Sequence, residues 1–210
     1  MLEIVNFLKA ISPTALLKSD FMGLTKIHTR PVTFLISFKK LLRDAACSVL
    51  IKQWKPMEKE DVVSIEDSML PEVLRIQAEG FKNGSPEKLI KYSKNSRSIF
   101  YVIRSKDKIV GYCMYYLKPA LSFKGLEKQS VILSIAIDKN FRGRGLAEKV
   151  LRSSIEEMKV NGISSIILYV NVNNSPALHL YRKIGFKEIR QVKNICGQGE
   201  NCHEMELRLA

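Results

Sequence analysis

The chain has 210 residues, 46% hydrophobic and 26% charged, proportions ordinary for a globular protein and too apolar for a disordered one. Its 34 basic and 21 acidic residues leave a net charge of +13, which favours anions: nucleic acid, ribosome, an acidic membrane surface or a polyphosphate cofactor. Basic residues cluster no further than pairs such as Lys39-Lys40, which excludes a polybasic tail, and no apolar run reaches the roughly 18 residues of a membrane span. There is no secretory signal. None of the cysteines, Cys47, Cys113, Cys196 and Cys202, forms a CxxC pair, so the expected setting is reducing and cytoplasmic. Cys113 lies in an apolar run and reads as core. Cys196 and Cys202-His203 offer too few ligands, at the wrong spacing, for zinc.

Residues 1–56 differ from 57–210. They carry nine basic and three acidic residues, a net +6. Leu2 to Ile11 suits a short helix. Phe34, Phe38, Leu41, Leu42, Ala45 and Val49 recur at helical spacing with Lys39, Lys40 and Arg43 between them, and Pro13 and Pro31 separate the pieces. The expectation is a basic helical extension that packs its apolar stripe on the main domain. The same amphipathic face suits an anionic partner or a membrane surface. Two other readings stay open: a loosely attached leader with Met57 as the functional start, and an organelle presequence, against which the scarcity of serine and arginine counts.

From Asp61 the pattern is regular. Val62 to Ile65 reads as a strand. Asp67 or Ser68 can cap a helix with Leu70, Val73, Leu74 and Ala78 inside. Ser85-Pro86-Glu87 opens a second helix, to about Ser93. Ser98 to Arg104 and Ile109 to Leu117 are strands, 118–128 a loop, and 130–138 a strand. A helix follows over Leu146 to Val160, ended by Asn161-Gly162; then a strand over Ile166 to Val172, and a helix from Asn174-Ser175-Pro176 to Ile184, stopped by Gly185. Phe186 to Val192 and His203 to Leu209 are strands, the last with Met205, Leu207 and Leu209 inward and Glu204, Glu206 and Arg208 outward. The order β-α-α-β-β-β-α-β-α-β-β predicts an α/β (α+β) fold, a mixed sheet with helices on both faces.

The chain is organised around Phe141-Arg-Gly-Arg-Gly-Leu-Ala-Glu148, between a buried strand and a helix start. Glycines let a phosphate approach the backbone, and the helix's first amides point at it. The same residues also describe a plain turn with two solvated arginines. Glu148 stands where a dinucleotide GxGxxG needs glycine, and no Gly-Lys-Ser/Thr of a P-loop is present.

Arg142-Gly143-Arg144-Gly145-Leu146-Ala147 does match Arg/Gln-x-x-Gly-x-Gly/Ala, the pyrophosphate-loop pattern of the GNAT superfamily of N-acetyltransferases. Asn174 to Phe186 is similar to that family's Asn-x-x-Ala-x-x-x-Tyr-x-x-x-Gly-Phe. The resemblance covers about residues 60–210 and is nearest to ribosomal-protein and other protein N-terminal acetyltransferases, through Ile76…Glu79-x-Phe81 and Glu200-Asn-Cys-His-Glu-Met205. It implies the GNAT fold and acetyl transfer from acetyl-CoA, without a metal, to a primary amine. The acceptor it implies is the α-amine of a protein or peptide N-terminus, with a small-molecule amine or a non-catalytic CoA-binding module as alternatives. Ile135, Ala136 and Ile137 would line the pantetheine arm, with a backbone N–H near Ile135 or Ile137 facing the oxyanion. Arg142 to Ala147 would hold the pyrophosphate. Asn174 would hold the cofactor or cap its helix. Tyr181 would be the general acid; read from spacing alone it is equally a core tyrosine. His179, two residues earlier, reads as surface.

One departure matters. The N-terminal acetyltransferases carry a glutamate five residues before the motif asparagine; here that residue is Tyr169. Their tyrosine pair after Gly-Phe is also replaced, near Asn194-Ile195-Cys196. Three readings of the base follow: Glu79, directly or through water; a water chain ordered by Tyr169; or no strong base. The last is tolerable for an α-amine, whose pKa near 8 leaves about a tenth neutral at pH 7, and poor for a lysine.

Overall fold

Seven strands build one mixed sheet: β1 (Val62–Ser64), β2 (Phe100–Ser105), β3 (Lys108–Ser122), β4 (Gly125–Ile137), β5 (Ile163–Asn171), β6 (Lys187–Lys193) and β7 (Asn201–Arg208). Their spatial order is β1-β2-β3-β4-β5-β7-β6. The computed structural model describes residues 44–57, 59–81, 86–122 and 125–209; the expectations on Leu2–Ile11, Pro13, Pro31, Phe34, Phe38, Leu41 and Leu42 lie outside them. Four helices join the strands: α1 (Leu70–Gly80), α2 (Pro86–Asn95), α3 (Leu146–Val160) and α4 (Ser175–Ile184). The predicted element order is the observed one. No helix among the described residues is long and apolar enough to cross a membrane.

Two apolar layers sandwich the sheet. On one face Val150, Leu151, Ile155 and Met158 of α3, with Leu178 and Tyr181 of α4, pack on Tyr115, Ile132, Ile166, Leu168 and Met205. The i, i+3, i+4 spacing of these residues on α3 gives one continuous stripe. On the other face Val73, Ile76, Leu89 and Tyr92 of α1 and α2 meet Phe100, Val102, Tyr112, Met114 and Ala136.

Several expectations need correction. Residues 118–122 and 125–128 are not a loop but the two arms of a hairpin, in which Lys118 pairs with Gln129 and Ser122 with Gly125. Pro119 pairs with Lys128 of β4, and β2 pairs with β3 only as far as Met114, so β3 has a single partner strand there, an edge position that tolerates a proline. Neither Asp67 nor Ser68 caps α1; a 3-10 turn, Asp67–Met69, leads into it, and Ala78 is exposed. Glu204 is buried rather than outward.

The helical residues 44–51 and the segment to Met57 lie on the α3 side. Ala45 and Val49 are exposed, contrary to the expected stripe; Cys47, Leu50, Ile51 and Trp54 make the contact. The anchor is Glu157 on α3, 1% exposed. Its carboxylate accepts from Trp54 Nε1 at 2.7 Å, Tyr101 Oη at 3.0 Å and the Met57 amide at 3.2 Å, and pairs with Lys59. A buried carboxylate without such donors would be strongly unfavourable. Trp54→Phe keeps an aromatic side chain but removes one charge-assisted hydrogen bond and part of the ring contact, so it should cost at least about 1.5–3 kcal/mol. A shift of the urea midpoint at unchanged slope measures this; an unchanged midpoint would refute the anchoring role.

The sheet opens at its centre. β4 and β5, the parallel pair, are matched only from Lys128–Val131 against Ile163–Ile167. Beyond that β5 continues beside β7, while Ile132 to Ile137 have β3 on one side and no strand of the described residues on the other. A bulge marks the parting: Met114 faces Ser134 and Tyr115 faces Ile132, leaving Leu133 as the extra residue.

Candidate active site

The open edge of β4 runs directly into the glycine turn. Asp138 accepts from the Asn140 amide at 2.8 Å and starts a 3-10 turn over Lys139–Phe141. Arg142 Nε donates to the Ile137 carbonyl at 3.0 Å; Arg144 donates to the Asn140 carbonyl at 3.2 Å and lies 5.1 Å over the Phe141 ring. Both arginine side chains thus brace the turn. Gly143 and Gly145 have φ of +74° and +75°, the left-handed region that L side chains avoid. A Cβ on either would meet nothing within 4 Å, so the outer side of the turn is open. Gly145 caps α3, and the first α3 amide bonded back to it is that of Lys149. The amides of Leu146, Ala147 and Glu148 therefore stand at the positive end of a helix of 15 residues. Open backbone, glycine at both special positions and a helix N-terminus fit a pyrophosphate.

The end of α1 reaches the same strand: a Cβ on Gly80 would sit 3.5 Å from that of Ala136. Beside it Arg75 binds Glu72 and Glu79, each at 2.7 Å, and the buried Asp138. The Arg75 guanidinium, with the Asn140 amide, holds the Asp138 carboxyl below the usual range. Glu79 also has Lys139 at 3.9 Å. This cluster borders a cleft of about 490 Å³, lined by Glu72, Arg75, Asp107, Lys108, Asp138 and Phe141. No local pattern pointed to the Arg75–Asp138 pair, whose members lie 63 residues apart.

On the segment after β5, Asn174 accepts from the Ala177 amide at 3.3 Å and so caps α4. Tyr181 projects from α4 into the core, 6% exposed, its ring 5.7 Å from that of Phe186. Burial pushes its phenol well above the ordinary value, with the Cys113 thiol nearby. No described residue hydrogen-bonds its hydroxyl. Cys113 is fully buried, as expected, its thiol pushed up to about 12. His179 is exposed.

Tyr169 lies on β5 two residues beyond the last β4 pairing. In the antiparallel register it stands opposite Glu204 of β7, and Glu204 stands opposite Arg190 of β6. The flanking Leu168, Val170 and Met205 belong to the layer under α3 and α4, so this row occupies the other face. Arg190 Nε reaches Glu204 Oε2 at 2.7 Å. Burial, then Glu204, raises the Tyr169 phenol. The β6–β7 hairpin closes the row at one end: Cys196 and Cys202 form a disulfide, which the sequence did not lead one to expect, and Asn171 donates to Glu200 at 2.7 Å.

A strand that parts from its parallel neighbour, a glycine turn into a helix and a tyrosine on the helix beyond suit an acyltransferase of the acetyl-CoA-dependent kind, and the family match shows that class. Residues 65–186 match the acetyltransferase (GNAT) family, and the chain belongs to it. It is similar to an N-alpha-acetyltransferase of Sulfurisphaera tokodaii, 31% identical over 121 residues that cover 55% of this chain and 72% of the relative. An N-alpha-acetyltransferase of Sulfolobus acidocaldarius is 28% identical over 144 residues, 66% of this chain and 86% of its own. In fold it is similar to a chain of the NatC complex bound to Gag peptide and CoA, with a TM-score of 0.63 at 18% identity, covering 72% of this chain and all of that one.

Proposed function

We propose that the protein transfers acetyl from acetyl-CoA to the α-amine of a protein or peptide N-terminus. The observation that carries this reading is the edge of β4 that has no described strand beside it, leading into the glycine turn, with Tyr181 in the core cluster that also holds Ile132 and Ile137. The relatives' names support the choice of acceptor. In this reading Ile135, Ala136 and Ile137 line the pantetheine arm. A backbone N–H at Ile135 or Ile137 faces the oxygen that gathers charge. Gly143 to Ala147 hold the pyrophosphate through their amides, Arg142 and Arg144 brace that loop, and Asn174 fixes the start of α4. Tyr181 gives its proton to the leaving thiolate. Glu79, tied to Arg75, shapes the acceptor side, and residues 1–56 serve as a basic extension for a weak anionic partner. The setting we propose is cytoplasmic.

The test is to incubate the protein with acetyl-CoA and an N-terminal peptide library, following release of CoA. Turnover on peptides is the expected result. Turnover on small amines alone would replace the acceptor, and tight CoA binding without turnover on any amine would make the chain a binding module. A pH profile tests the donor. Burial keeps the Tyr181 phenol protonated past its ordinary value of about 10, so kcat should not fall between pH 8 and 10. A descending limb in that range would contradict Tyr181 as the proton donor.

A further inference from the structure

Acetyl transfer needs a neutral amine, and an α-ammonium at pH 7 must lose a proton first. Several carboxylates stand near the open end of the sheet; Glu72 is held by Arg75, and Asp107 sits on the turn between β2 and β3. Asp138 is sealed under Arg75, and Glu79 is shared by Arg75 and Lys139. Glu200 sits on the hairpin, bonded to Asn171. Glu204 is different. It is 8% exposed, holds a single arginine on Oε2, and stands directly behind Tyr169 in the register. Opposed residues of an antiparallel pair bring their side chains to about 5 Å at Cβ on one face. Tyr169 in turn is the member of the row nearest the gap between β4 and β5. α1 packs on β3 and β4, which leaves the row at the side of that helix.

We propose that Glu204, acting through the Tyr169 hydroxyl, accepts the proton of the incoming ammonium; this rests on the acetyl-transfer reading above. The ammonium N–H passes its proton to the Tyr169 oxygen as Tyr169 passes its own to Glu204. The freed lone pair attacks the thioester carbonyl carbon, the C–N bond forms and the C–S bond breaks. Tyr181 protonates the departing sulfur. The nitrogen's second proton restores Tyr181 through solvent, and Glu204 releases its proton to water, one per acetyl transferred. The neutral phenol that burial maintains at Tyr169 is what a two-way relay requires. The other charged groups of β6 and β7 on this face include Arg190 and Lys187 of β6 and Glu206 and Arg208 of β7, with Lys187 opposite Glu206 and Arg208 bonded to Glu206 at 3.2 Å. Arg190 Nε fixes Glu204 through Oε2, leaving Oε1 as the atom that would take the proton.

The experiment is the pH dependence of kcat for Glu204→Gln on a peptide the wild-type protein acetylates. The wild-type ascending limb should lie well below pH 8. In the variant it should move up to about 8, the free α-amine value, giving about a tenfold loss at pH 7 that vanishes by pH 9. CoA affinity should be unchanged. Tyr169→Phe, which keeps the ring and removes the relay, should shift the limb in the same way, and it decides the matter if Glu204→Gln does not fold. An equal loss at pH 7 and 9, or none at pH 7, overturns the inference while leaving the acetyl-transfer reading intact. A wild-type protein that acetylates no amine overturns both.

Discussion

Gly145→Val is expected to abolish CoA binding, weakening it by at least 100-fold in a calorimetric titration. Gly145 has φ of +75° and is the N-cap of α3. A valine there either keeps the backbone and puts its side chain on the open side of the turn, or shifts the backbone and re-aims the amides of Leu146 and Ala147. Either way two or more hydrogen bonds to a charged pyrophosphate are lost. At about 1.5–3 kcal/mol each, two of them account for a hundredfold or more. The variant also carries left-handed strain of about 1–2 kcal/mol, which could by itself weaken binding through the fold. Gly162→Val separates the effects. Gly162 lies past the other end of α3, with φ of +72° and the same open surroundings. It should lose similar stability and keep its CoA affinity. Equal affinities for Gly145→Val and the wild-type protein would refute the assignment of the turn.

Tyr181→Phe should lower kcat by 10²–10⁴-fold, the usual contribution of a general acid, with CoA affinity within about threefold of wild type. The structure makes this substitution informative. The hydroxyl has no partner among the described residues, so its removal breaks no hydrogen bond, and the ring contact with Phe186 is retained. The melting temperature should hold or rise slightly. Loss of turnover would then reflect chemistry rather than packing. An unchanged kcat would leave Tyr181 as a core tyrosine, the other reading of its helical position.

What the sequence disclosed was mainly what local chemistry dictates. Glycines in left-handed positions end α3 and α4 at Gly162 and Gly185, and the two helices run where expected. The turn from Arg142 and the stretch from Asn174 to Phe186 were readable because their residues are contiguous. Long-range placement was not readable. Alternation along β7 said correctly that Glu204 points away from Met205, but not that Tyr169 and Arg190 would flank it, because register belongs to three strands at once. The arms on either side of the hairpin turn read as a loop because what makes them sheet is their pairing with each other, not their local composition. The helical residues 44–51 showed the reverse error: a stripe extended from Phe34 predicted contact at Ala45 and Val49, whereas Cys47, Leu50 and Ile51 set the phase.

The parting of β4 from β5 makes CoA, in the proposed pose, a removable piece of the sheet. Ile132 to Ile137 are interior by position yet have no strand of the described residues on their β5 side. A bound ligand would complete what the chain leaves out. Its free concentration then becomes a variable of the protein's own durability: at 100 times the dissociation constant it adds about 2.7 kcal/mol to the native state. Amide exchange along 132–137 should slow as CoA is added, and the protein's resistance to heat and proteases would follow the CoA supply.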